Sequence, residues 1–206
     1  MPKIYCAGPL FNNKEKEEMQ EIASALEANG FEVFLPQRDG FEFFNLFSTF
    51  VDLGVPDTVA RRVLNKAIFT LDVFKVLSTH GLVLNINGRV PDEGAMVEAG
   101  IAWNSGKKIV IYKDDARSLL NGNDNPLLLG LADFVVVSRI ADIPQAFHGM
   151  RVETLTEGAV IDTTVLRGLY EKGERIASLA SERLEYSFVC RRLMEVLEDT
   201  YADQRL

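Results

Sequence analysis

Lys3-Ile4-Tyr5-Cys6-Ala7 is a short, mostly apolar run closed by Gly8-Pro9, which is how a buried strand ends in a turn. The segments after this turn decide the class of fold. From Asn13 to Asn29 the apolar residues Met19, Ile22, Ala23 and Leu26 recur at i, i+3, i+4 and i+7, with Glu and Lys on the other side and Gly30 placed to stop the helix. Phe31 to Leu35 is short enough, and alternates enough, to be a second strand before Pro36. These segments form a β-α-β unit. After Asp57, the residues Val59, Val63, Ala67, Ile68 and Leu71 at helical spacing predict a second amphipathic helix running to about Lys75. Gly81 to Ile86 reads as a third strand and Glu93 to Ser105 as a third helix stopped by Gly106. Strands at Lys108 to Tyr112 and Phe134 to Ser138 complete the set.

Parallel strands need crossover connections, so strands alternating with helices predict an α/β fold. The expectation is a doubly wound, flavodoxin- or Rossmann-like parallel sheet of five strands. Past Ile161 the pattern is purely helical: Leu166, Leu169 and Tyr170, then Ile176, Leu179 and Leu184, then Phe188, Leu193, Val196 and Leu197. We therefore expect an α/β domain over residues 1–150 and a C-terminal helical extension over 151–206, packed on that domain or at an oligomer interface. Phe41, Phe43, Phe44, Phe47 and Phe50 crowd the segment after Gly40, as a helix packed on the core or as a lid over a pocket.

The 206 residues are 47% hydrophobic and 25% charged, the mixture of a folded globular protein, and the net charge of −8 disfavours a general binder of phosphate backbones. Without a long uncharged apolar run or a signal-peptide pattern, a cytoplasmic protein is expected. Cys6 and Cys190 sit in apolar surroundings and read as two buried thiols. His80 and His148 are the two histidines, which argues against a Cys/His zinc cluster and against histidine triads. No metal and no cofactor is expected. Acid, base and nucleophile should then be carboxylates.

In doubly wound folds ligands bind outside the carboxyl ends of the strands, so the loops at Gly8-Pro9, Gln37-Arg38-Asp39 and Asn87 to Asp92 should converge on one crevice. Asp92 stands at a helix start, where an N-cap is the ordinary role of an aspartate. Glu98 lies among Met96, Val97, Ala99, Ile101 and Ala102 and is either a solvent-stripe side chain or a carboxylate at the ligand edge. The two acids lie about 240° apart around a helix, so they share a crevice only if Asp92 belongs to the loop. Asp72 falls near the expected end of its helix, where negative charge is disfavoured and needs a partner or a purpose. Tyr5 is a strand residue, read either as a core ring with its hydroxyl at the edge or as a hydroxyl that hydrogen-bonds a carboxylate at the crevice. Carboxylates without histidine or metal suit glycosyl chemistry, in which one acid attacks the anomeric carbon and another manages the leaving group's proton.

Lys3-Ile4-Tyr5-Cys6-Ala7-Gly8-Pro9-Leu10-Phe11, the acid Asp72, and above all Gly88-Arg89-Val90-Pro91-Asp92-Glu93-Gly94 leading to Glu98-Ala99-Gly100 are similar to the nucleoside 2-deoxyribosyltransferases. The similarity covers roughly Lys3 to Tyr112, and Asp-x-Gly-x-x-x-Glu-x-Gly, from Asp92 to Gly100, is its most specific part. It implies transfer of 2-deoxyribose between nucleobases, with Glu98 as the nucleophile of a covalent deoxyribosyl ester and Tyr5 orienting it. Asp92 and Asp72 would bind the base and protonate its leaving nitrogen. Gly8 and Phe11 would wall the sugar and base, Gln37 or Asp39 would meet the base edge, and Gly88 would belong to the substrate loop. Asn125 would reach a neighbouring subunit's site, so the partners implied are 2′-deoxynucleosides, free nucleobases and further copies of the chain. His80 replaces a usual acid, and the extension after Ile161 exceeds the family's short members. Two other readings stand beside it. One is an N-glycoside hydrolase of 2′-deoxynucleoside 5′-monophosphates, for which Arg38 and Arg89 are available. The other is a nucleotide-sensing module without turnover.

Overall fold

The computed structural model describes residues 1–88, 92–117, 122–150, 164–182 and 184–197. Arg89, Val90 and Pro91 of the motif loop, and the start of the extension at Ile161, lie outside them. By its internal contacts the chain divides into two units, Met1–Arg38 with Val76–Val160 and Asp39–Lys75 with Ile161–Leu206. The grouping is thus discontinuous in sequence, where the helical pattern predicts a single cut at residue 150.

The first unit holds the sheet. Strands β1 (Lys3–Ala7), β2 (Glu32–Phe34), β3 (Gly81–Asn85), β4 (Lys108–Tyr112) and β5 (Val136–Val137) are all parallel in the order β2-β1-β3-β4-β5, the flavodoxin-like arrangement. Helix α1 (Asn13–Ala28) starts with a capping box, in which Asn12 accepts from the Glu15 N–H at 3.0 Å while Glu15 accepts from the Asn12 N–H at 3.2 Å. Its buried stripe, Met19, Ile22, Ala23 and Leu26, packs with Ile4, Cys6, Val83 and Val110 on one face of the sheet. Because strand side chains alternate, Tyr5, Leu82, Leu84, Ile109 and Ile111 point to the other face. Glycine is required at the end of β1: a Cβ on Gly8 would lie 2.7 Å from Met19 Sδ and 2.8 Å from Asn85 Cβ.

Short α2 (Pro36–Asp39) comes after β2, and the second unit begins within it. There the phenylalanine-rich segment is a helix, α3 (Phe43–Asp52), which buries Leu46 and Phe50 while Phe43 and Phe47 stack at 6.1 Å. Helix α4 (Asp57–Ser78) runs one turn beyond the expected Lys75, since Val76 and Leu77 continue its buried stripe; Asp72 therefore sits inside the helix. Helix α5 (Glu93–Asn104) precedes β4 and returns the chain to the first unit's sheet, lying against β1, β3 and β4. Beyond β4 come α6 (Pro126–Leu129) and α7 (Ile143–Ala146), single turns too short to show a period, each announced by a proline near its start. β5 is shorter than the expected 134–138 because Asp133 and Phe134 have positive φ of 51° and 63°, a left-handed turn in place of extended chain.

The helical pattern of the C-terminal part forms α8 (Thr164–Ser181) and α9 (Tyr186–Val196). Within the second unit α9 buries Val189, Cys190, Leu193 and Val196, and the Cys190 thiol lies 3.6 Å from the Leu46 carbonyl of α3. Burial pushes that thiol up to about 11. Gly173 of α8 meets α4 so closely that a Cβ would stand 2.3 Å from that of Phe74. Both cysteines are buried thiols outside any disulfide. Among the described residues, no helix is long and apolar enough to cross a membrane.

Candidate active site

Glu98 faces the sheet. It shares the helical stripe of Ala95, Ala99 and Ala102, whose small buried side chains let α5 approach the strands closely. On the strand below, the Tyr5 hydroxyl donates to Glu98 Oε1 at 2.7 Å. The Tyr5 ring is fully buried and stacks on Phe34, its neighbour in the strand register, with centroids 5.4 Å apart. A rigid phenol on a central strand thus fixes one oxygen of a half-buried carboxylate. Glu98 is thus part-buried and turned away from the helix's exposed positions Glu93, Gly94 and Val97.

Asp92 is the N-cap of α5. Its backbone is extended and its side chain accepts from the Ala95 N–H at 2.7 Å, so it belongs to the loop, as a shared crevice with Glu98 demands. The remaining residues of the first unit have visible local duties. Phe11 is 78% exposed, and its N–H donates to the Glu15 carboxylate at 2.7 Å. The Gln37 amide donates to the Lys16 carbonyl at 2.8 Å, which ties α2 to α1. Gly88 has φ of 112° and donates its N–H to Asp115 Oδ2 at 3.1 Å. Asn125 is exposed and caps α6 by accepting from the Leu127 N–H at 3.0 Å. Asp39 and Asp72 belong to the second unit.

The loops leaving β1, β3 and β4 enclose a polar crevice of about 560 Å³, lined by Asn12, Glu18, Asn87, Gly88, Asp115 and Arg117 among others. Glu18 and Asp115 do not stand out in the sequence. Asn87-Gly88 is a turn dipeptide and a usable signal; the two acids come together only through tertiary contact. The guanidinium and backbone N–H of Arg117 hold the Asp115 carboxyl well below the usual carboxylate range, and the Gly88 N–H adds to this. Among the described residues no group of His, Cys, Asp and Glu is arranged to hold a metal ion.

An all-parallel flavodoxin-like sheet that presents a tyrosine-held carboxylate beside a capped helix start defines an α/β protein with a carboxylate centre. The sequence profile of the nucleoside 2-deoxyribosyltransferases matches residues 4–161, and the chain belongs to that family. Membership places it among proteins that transfer or hydrolyse the N-glycosidic bond of nucleosides. No curated protein matches the chain significantly. Similar solved structures include the 2-deoxyribosyltransferase of Bacillus psychrosaccharolyticus, at 18% identity over 69% of this chain and 90% of that one with a TM-score of 0.49. Another is the 2-desoxiribosyltransferase of Leishmania mexicana, at 16% identity over 71% and 95% with a TM-score of 0.46. The CMP N-glycosidase of Clostridium botulinum is similar at 17% identity over 69% and 96%, with a TM-score of 0.42.

Proposed function

We propose that the protein transfers 2-deoxyribose between nucleobases by double displacement. The observation that carries this is the 2.7 Å hydrogen bond from the buried Tyr5 hydroxyl to Glu98, which holds a carboxylate in one orientation within the family's motif. In the first step a Glu98 oxygen attacks C1′ of the deoxynucleoside as the C1′–N bond breaks. The electron pair goes to the base nitrogen, which takes a proton from an aspartic acid, Asp92. In the second step a nitrogen of the incoming base attacks C1′ from the face the first base left and gives its proton back to the aspartate, while the Glu98–C1′ ester bond breaks with its electron pair returning to the carboxylate. Two inversions give net retention. The transition states are oxocarbenium-like, so nearby anions stabilise them, and a sugar lacking the 2′-hydroxyl reaches them more easily.

Gly8, Phe11 and Gly88 wall the sugar and base on this reading, and Gln37 meets the base edge. Asn125 serves the site of a neighbouring copy in a homo-oligomer, a role that its exposure permits. Incubation with deoxyinosine and free adenine, followed by chromatography, tests the assignment. Deoxyadenosine is the expected product; free hypoxanthine and deoxyribose alone indicate a hydrolase, and unchanged substrate a sensing module. Glu98→Ala is expected to lower transfer at least ~10³-fold, the scale on which loss of a covalent nucleophile falls, with folding unchanged by circular dichroism. Activity near wild type in that variant rejects Glu98 as the nucleophile.

A further inference from the structure

Two carboxylates that the proposed reaction does not use converge on the residues leaving β3. Glu18 of α1 accepts from Asn85 Nδ2 at 2.8 Å through one oxygen and from Asn87 Nδ2 at 2.9 Å through the other. Asp115, three residues past β4, accepts the Gly88 N–H at 3.1 Å, and its own carboxylate is held by the Arg117 N–H at 2.9 Å and Nε at 2.8 Å. Between them the Asn87 side chain accepts the Asp114 N–H at 2.8 Å, and the Ile86 N–H donates to the Tyr112 carbonyl at 3.1 Å. Asn85 is fully buried, and the Asp115 side chain is only 13% exposed. The four residues from Asn85 to Gly88 are thus tied from both sides. Gly88 ends this stretch in a left-handed conformation that other residues rarely adopt.

Four positions beyond Gly88 the chain reaches Asp92, and six further Glu98. Glu18 lies on α1, whose side chains pack on the face of the sheet opposite α5, so it acts through the backbone it holds and not by touching the reacting acid. Ordering backbone costs conformational entropy, and a clamp that holds residues 85–88 in place beforehand removes that part of the cost from each turnover. A displacement of about 1 Å at the reacting groups is worth ~10²-fold in rate.

We propose that Asp115, with Glu18 opposite it, is a positioning residue that fixes the exit from β3 and, through it, the start of α5 carrying Asp92 and Glu98. This rests on the reading of those two acids as reacting groups. Asp115→Asn keeps the side chain's shape but turns one of its two acceptors into a donor that meets the Gly88 N–H or Arg117. Transfer from deoxyinosine to adenine is expected to lose at least ~10-fold in kcat, normalised to folded protein, with KM for deoxyinosine within about threefold. In an Asp92→Asn background the same substitution should cost little further, because the clamp acts through the segment that Asp92 begins. Hydrogen exchange at amides 86–88 and 92–98 should quicken while that of α1 stays unchanged. Lys108→Ala, which removes an exposed charge at the amino end of β4, is expected to leave kcat at the wild-type value. A wild-type kcat in Asp115→Asn, or fully additive losses with Asp92→Asn, overturns the proposal. Should the wild-type protein turn over no deoxynucleoside at all, the reaction assignment is what fails. The clamp is then judged by exchange alone, and unaltered protection of residues 86–88 and 92–98 in Asp115→Asn rejects it.

Discussion

Tyr5 both fills the sheet's core with its ring and holds Glu98 with its hydroxyl, and Tyr5→Phe separates the two. The ring stays on Phe34 while the carboxylate loses its fixed orientation, so kcat is expected to fall roughly ten- to a hundredfold, and the lost bond to a charged group, worth about 1.5–3 kcal/mol, should lower the melting temperature by several degrees. Single-turnover formation of the covalent sugar ester measures this directly; a wild-type rate would remove Tyr5 from the mechanism. Gly8 tests the close approach at the end of β1 in the opposite way, through stability. In Gly8→Ala the methyl meets Met19, which has room to swing, and the Cβ of Asn85, which does not, so a loss of about 1–3 kcal/mol is expected in urea unfolding. At this scale the sequence makes legible an acid stranded in an apolar helix and a turn glycine. That Tyr5 meets Glu98 across 93 positions is a consequence of strand register and helix placement. No local pattern encodes it, and the family motif supplied it.

At the scale of the element, α5 shows one residue meeting two demands. Asp92 caps the helix through Oδ1, and the proposed chemistry asks the same carboxyl group to handle a base or a proton. Asparagine caps about as well as aspartate but neither carries its charge nor donates its proton. Asp92→Asn should therefore keep the thermal midpoint of the wild type and lose most activity, whereas Asp92→Ala should lose about 1 kcal/mol of stability as well. Equal destabilisation by both, in parallel melting and activity measurements, would count against the cap. β1, α1, α5 and β4 lie where the sequence pattern puts them. The misplacements are of another kind: α4 outlasts its reading because Val76 and Leu77 extend an apolar stripe that also reads as the approach to β3. β5 shrinks because a left-handed turn takes in Phe134, a residue type of high strand propensity that gives no local sign of the turn.

For the molecule as a whole, a net charge of −8 conceals a cationic corner at the amino ends of the central strands. His80 joins β1 to the start of β3 twice, its N–H donating to the Lys3 carbonyl at 2.8 Å and its Nδ1 accepting the Lys3 N–H at 3.0 Å. The second bond needs an unprotonated Nδ1. Burial lowers the His80 pKa first, and the charges of Lys107, Lys3 and the amino terminus lower it further, against a smaller opposing effect of Glu32. A histidine whose pKa is lower folded than unfolded binds more protons in the unfolded chain. Its contribution is therefore complete above the unfolded value of about 6.5 and is lost as pH falls through the folded value. Because these strands are neighbours at the middle of the sheet, the loss should register in global unfolding and not as local fraying. His80→Gln keeps an acceptor within reach and does not titrate. Urea unfolding at about pH 7.5 and about pH 5 should thus show the wild type losing more stability than the variant, by less than about 1 kcal/mol because the ring is part-exposed. Carboxylates elsewhere titrate alike in both proteins and cancel in the difference, so identical slopes would mean that His80 is protonated in the folded chain without cost.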